Sequence, residues 1–499
     1  MRKQKQYTRW SLVNQIIATW LVTNILKTSK IIFLGIFFSL AFGEQSIPQS
    51  VRGDTERLTI HLKGVFDSKI TVSPYGNGQY GSPLKIVPNV KDTAVFSISK
   101  DYLPGQFLLR MDYRQKEADQ PYPSELVFFM SDHDLEIGIN PLHTRPDSID
   151  FGNDKENPAY YTFSREDNKR RQQLVLLEQL LLEYDTPTCN FYKQAINEFD
   201  KRREEYNHWI SFQKEQYKNL YISRLFAFQK IASTRWNIPE KKRIDEQALH
   251  YFDEINLNDT LVLRTQAFYD FLSNYMRLFG VRATTGELRD SLFTEAGRIA
   301  CEKASHGNPK VYGWMVDYFY KGYESYDIGS GIKMLEQHIS NPNCLTSKRQ
   351  EIIRRLEGMK KLVKGSVAPP FDAETANGMQ VRFKGIPEEK NYGLLVFYDS
   401  TCSHCKEFLQ ELKGWYEKPE NSAWFDVITI SVDENRTQWN HFHSQESFQW
   451  VDIWAPGGIN SQVCKEYYIL SSPVSFVIDK QRKILAIPHN VEEIIQFLN

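Results

Sequence analysis

Cys402 and Cys405 are separated by two residues in "FYDSTCSHCKEFLQELK", just past an apolar run and at the start of an amphipathic segment. Thiols at this spacing suit three kinds of chemistry: dithiol–disulfide exchange, half of a tetrahedral metal site, or a structural cross-link. From 403 to 416 the pattern predicts a helix. Cys405, Phe408, Leu409, Leu412 and Tyr416 fall on one of its faces, at i, i+3, i+4, i+7 and i+11. Cys402 then lies at or just before the first turn, where unpaired N–H groups and the positive end of the helix favour an anion. The thiolate is the reactive form of cysteine. Cys405, one turn further on the packed face, is expected to be sheltered. An accessible thiol with a sheltered partner is what exchange requires: Cys402 attacks to form a mixed disulfide and Cys405 resolves it. His404, between them, would favour the Cys402 thiolate as a nearby donor or cation; the plain alternative is an exposed histidine.

Other readings use the same residues. Cys402 and Cys405 could join Cys464 and one of His441 or His443 in a four-ligand zinc site, although only one clear ligand pair is present. Cys464 is most simply a packed thiol. A peroxidase loop of the form Pro-x-x-x-Thr-x-x-Cys is absent from the sequence. Cys189, Cys301 and Cys344 are isolated on or near helical stretches, and six cysteines in 499 residues are too few for a disulfide scaffold. No cofactor and no metal site is expected.

The elements that hold this pair belong to a long chain. The length suggests about three domains. With 61 basic and 62 acidic side chains, nothing favours nucleic acid or an anionic membrane surface. A hydrophobic fraction of 41% is enough for packed cores. Residues 1–43 read as a leader: Lys27 and Lys30 precede the apolar run "IIFLGIFFSLAFG", which ends in a small-x-small cleavage site before Glu44. That run is shorter than the ~20 residues of a membrane helix. It implies export, either as a cleaved signal peptide or with the leader kept as an anchor. Residues 44–145 alternate apolar and polar side chains between turn residues, which predicts an antiparallel β-domain of sandwich type. Within it "SDHDLE" (131–136) reads as a solvated turn. Residues 146–167 are polar and proline-bearing and read as a linker. Residues 168–364 carry helical periodicity with aromatics at core spacing, and lack a fixed repeat or a catalytic constellation. From 365 to 499 strand and helix patterns alternate, predicting a single-sheet α/β domain.

"LLVFYDSTCSHC", the later "LSSPVSFVID" and the order of elements resemble the thioredoxin fold, and most of all the exported TlpA/ResA-like thiol–disulfide oxidoreductases. Their catalytic domain often opens with Gly-x-x-Ala-Pro-x-Phe, which Gly365 to Phe371 resembles. The resemblance covers roughly the last quarter of the chain. It implies that Ser472-Pro473 is a cis-proline turn facing the cysteines, leaving the backbone of Ser472 open to a substrate strand. It implies as partners client proteins with thiols or disulfides, and a membrane or periplasmic redox protein. The β-domain and helical region resemble extensions carried by some bacterial envelope members. Three features depart from the pattern. Thr401 replaces the usual tryptophan, Val396 replaces the buried acid of thioredoxin, and the Ser-His dipeptide resembles the oxidising DsbA-type site more than Gly-Pro. The direction of electron flow, reductase or oxidase, is therefore left open. A non-catalytic envelope scaffold built on the same module is the alternative.

Overall fold

The computed structural model describes residues 54–498. The leader read over residues 1–43 lies outside them. The β-rich, helical and α/β parts follow one another in the expected order. By their contacts they form two compact units, one up to Tyr318 and one from Phe319.

Among the described residues of the first unit, eight strands run from β1 (Thr55–Leu62), β2 (Asp67–Gly76), β3 (Gln79–Tyr80) and β4 (Lys85–Val90) to β5 (Thr93–Ser99), β6 (Gly105–Arg114), β7 (Tyr122–Met130) and β8 (Leu135–Ile139). They make two sheets, β5-β1-β8 and β3-β2-β6-β7 with β4 added on β2. Alternation decides what each strand buries. Leu58 and Ile60 lie opposite Phe96 and Ala94, while Phe107 and Leu109 lie opposite Phe128 and Leu126. All eight side chains are in one apolar core shared by the two sheets, which makes a sandwich.

Helices follow: α1 (Glu156–Glu183), α2 (Asn190–Gln216), α3 (Glu240–His250), α4 (Gln266–Gly280), α5 (Gly286–Ser305) and α6 (Pro309–Ser325). The first three turns of α1 occupy much of the segment read as a linker. Its first two residues, Glu156 and Asn157, are buried because they complete other backbone segments. Asn157 both accepts from Phe129 N and donates to Phe129 O, each at 2.8 Å, and Glu156 accepts from the amides of Tyr221 and Ile222. A buried polar side chain that satisfies backbone groups is stable where an unpaired one is not.

The second unit holds α7 (Gly329–Ile339) and α8 (Arg349–Lys361), then β9 (Phe371–Thr375), β10 (Gln380–Phe383), β11 (Tyr392–Tyr398), α9 (Ser403–Tyr416), β12 (Phe425–Ser431), α10 (Arg436–Glu446), β13 (Val451–Trp454), α11 (Gln462–Glu466), β14 (Val474–Asp479), β15 (Ile484–Ala486) and α12 (Val491–Leu498). Its sheet has the order β10-β9-β13-β12-β11-β14-β15. β11, β12 and β13 are parallel, and β14 is antiparallel to β11. β11 is buried on both faces, which explains its continuous apolar run. Leu394, Val396 and Tyr398 face one core with α9, whereas Leu395 and Phe397 face a second core with Cys464 and Tyr467.

Candidate active site

α9 begins where β11 ends, at the carboxyl edge of the parallel strands, where open α/β sheets place their sites. Cys402 is its N-cap, with extended backbone (φ −77°, ψ 122°). Asp399 shapes the approach. Its Oδ1 accepts from Thr401 N at 2.7 Å and Thr401 Oγ1 at 2.5 Å, and its carbonyl accepts from Cys402 N at 3.2 Å. This local turn leaves Cys402 half-buried and outside any disulfide.

Cys405 is fully buried in the core formed with Leu394, Val396 and Tyr398. Burial pushes its thiol up to about 12, against opposing hydrogen bonds from the Asp399 backbone and the Ser472 hydroxyl. The Cys405 Sγ donates to Ser472 Oγ at 3.4 Å, so the second cysteine and the turn before β14 meet. The Ser472–Pro473 bond is cis. Val396 gives Cys405 an apolar neighbour. His404 points outward: its side chain is 66% exposed and Nδ1 lies 3.9 Å from Glu407. Among the described residues no hydrogen bond joins it to either sulfur.

The zinc candidates are not brought together. Cys464 is on the opposite face of the sheet from Cys405, His441 is exposed, and His443 is engaged elsewhere.

Two buried carboxylates that the sequence reading passed over organise the ends of the strands. Asp433, just beyond β12, accepts from Ser400 N at 3.1 Å, Ser400 Oγ at 2.6 Å and Ser431 Oγ at 2.5 Å. It thereby fixes the residue two before Cys402. Asp452, in β13, accepts from Tyr398 Oη at 2.9 Å, Thr429 Oγ1 at 2.6 Å and Trp439 Nε1 at 3.1 Å, and its Oδ2 lies 2.7 Å from His443 Nδ1. The hydrogen bond to Asp452 raises the His443 pKa above its ordinary value, outweighing burial. The available signal was an aspartate closing "VITISVD" and another inside "WVDIW".

Residues 390–484 match a family model described as thioredoxin-like. No curated protein matches the chain. Among solved structures, the chain is similar to a thiol–disulfide oxidoreductase from Bacteroides fragilis (24% identity over 27% of this chain and 100% of that one, TM-score 0.24). It is also similar to the thioredoxin domain of a thiol–disulfide oxidoreductase from Bacteroides vulgatus (22%, covering 28% and 99%, TM-score 0.25). A thioredoxin-like protein from Bacteroides caccae shares 15% identity over 54% of this chain and 96% of its own length, with a TM-score of 0.35. The carboxyl-terminal part of the chain is thioredoxin-like, as its motifs led us to expect.

Proposed function

We propose that this protein is an exported thiol–disulfide oxidoreductase that exchanges disulfides with client proteins through the Cys402–Cys405 couple. The observation that carries the reading is the contrast between the two sulfurs. One is half-exposed at the start of a helix, and the other is sealed behind it against Ser472. When the couple reduces a client, the Cys402 thiolate attacks one sulfur of the client disulfide. A mixed disulfide forms and the other client sulfur leaves as a thiolate. Cys405 then loses its proton and attacks Cys402 Sγ. This frees the second client thiolate and leaves a Cys402–Cys405 disulfide, two electrons having passed to the client. Run in reverse, the same steps oxidise a client dithiol. Because Cys405 holds its proton tightly, its deprotonation is the demanding part of resolution. The backbone beside the cis turn at Ser472 offers a client strand a place to pair. His404 is available to tune the couple once a client covers it. A membrane or periplasmic redox protein resets the cysteines, and the regions ahead of the thioredoxin-like part position clients or partners.

The test is trapping. Cys405→Ser, expressed with the complete leader, should accumulate mixed disulfides with envelope proteins that vanish on reduction. Cys402→Ser should accumulate none. If neither wild type nor variant exchanges disulfides with a model protein, and no adduct is trapped, the chain is a scaffold on a thioredoxin-like module.

A further inference from the structure

The segment leading to Ser472 and Pro473 is gripped from outside the sheet. Arg354, on α8, donates through Nη2 to the carbonyl oxygens of Cys464 (2.7 Å) and Ile469 (3.1 Å). The Cys464 carbonyl also accepts from Ile469 N at 2.8 Å, so one guanidinium ties both ends of a short bend. One turn along the same helix face, Gly358 leaves room for Tyr468: a Cβ there would stand 2.6 Å from the tyrosine Cβ. Lys361, a further turn on, donates to Tyr468 Oη at 2.7 Å. Tyr468 itself has φ +52°, a left-handed conformation that a bulky residue keeps only when its surroundings impose it. Positions 354, 358 and 361 thus form one stripe of α8 that fits the bend 464–469.

We propose that Arg354 is a positioning residue for the redox couple: by fixing this bend, it sets Ser472 Oγ against Cys405 Sγ. The proposal rests on the dithiol chemistry given above. In the reduced protein the Cys405 thiol donates to Ser472. Oxidation removes two protons and two electrons, forms the S–S bond and abolishes that donor. The contact therefore favours dithiol over disulfide. Loosening the bend shifts the couple toward the disulfide and makes it more reducing.

The experiment equilibrates the full-length protein with reduced and oxidised dithiothreitol, blocks free thiols, and measures the oxidised fraction by mass. Arg354→Met should move the equilibrium constant about threefold toward disulfide, roughly 14 mV more negative for a two-electron couple. Arg354→Lys, which keeps a donor, should move it less. Arg355→Met is the structural control, because its guanidinium pairs with Glu324 at 2.9 Å and leaves the bend alone. That variant should lose stability at a wild-type equilibrium constant. A wild-type constant for Arg354→Met, or equal shifts in both methionine variants, overturns the proposal. If Arg354→Met does not fold, Arg354→Lys decides, and a wild-type constant there overturns it. A wild type lacking any reversible dithiol–disulfide couple would instead overturn the functional reading, before any variant is compared.

Discussion

The sandwich of the first unit and the seven-stranded sheet of the second are both built on buried apolar faces and both bury carboxylates at strand ends, but only in the second does such a carboxylate hold the turn before Cys402. The shared core of the sandwich is apolar from Leu58 to Phe151. Its buried carboxylate, Asp67, is at a strand end and receives Arg114 Nε at 2.8 Å. The second sheet buries Thr429, Ser431, Asp433 and Asp452 at or beside the parallel strands that lead to Cys402. Burying a carboxylate is costly unless its oxygens are filled with donors. Here they are filled, and one of the two holds Ser400, beside the turn that carries Cys402. The difference teaches that the sandwich is organised for packing, whereas this sheet also fixes the geometry of a loop.

That comparison can be broken at several levels. Cys402→Ser should lower disulfide exchange on a model protein at least about a thousandfold, since Cys405, the other thiol of the pair, is sealed in the core; its thermal transition should stay in place. Phe107→Ala in the sandwich should cost ~3–5 kcal/mol in denaturant unfolding and leave the redox equilibrium unchanged. Asp433→Asn should cost about 1–3 kcal/mol. Unlike Phe107→Ala, it should also slow exchange, because Ser400 loses its anchor. An unchanged rate would reduce Asp433 to a structural group.

The smallest effect is on pH dependence. The His443 pKa is raised in the folded protein above its ordinary 6.5. Its contribution to stability is therefore complete below about 6.5 and lost as the pH rises through the elevated folded value. Wild type should lose stability across that window relative to His443→Gln, as read from urea midpoints. Parallel pH profiles would show that the pair with Asp452 carries no linked proton.

Much of this was legible. The 403–416 helix follows from its apolar spacing and has the bounds expected, and the positions of Cys402 and Cys405 follow from it. β13 was missed because four residues with an aspartate among them carry no strand period. The partners of Asp452 come from β11, β12 and α10, so no local pattern reveals why it is there. The polar start of α1 read as a linker because the backbone groups that Glu156 and Asn157 satisfy lie 25 or more positions away in sequence. "LYISRLFAFQKIA" has helical spacing, but only 223–226 forms an α-helical turn, followed by a 3-10 turn. Arg354 reads as one charge among several on α8. Its role depends on a bend more than a hundred residues later.

The central claim is that two thiols three positions apart live in different environments, and alkylation of the reduced protein measures this most directly. With iodoacetamide across a pH series and peptide mass analysis, Cys402 should be modified first. Cys405 should stay unlabelled in the folded protein until the pH approaches about 12. Equal labelling of the two at neutral pH, or labelling of Cys405 first, would contradict the account.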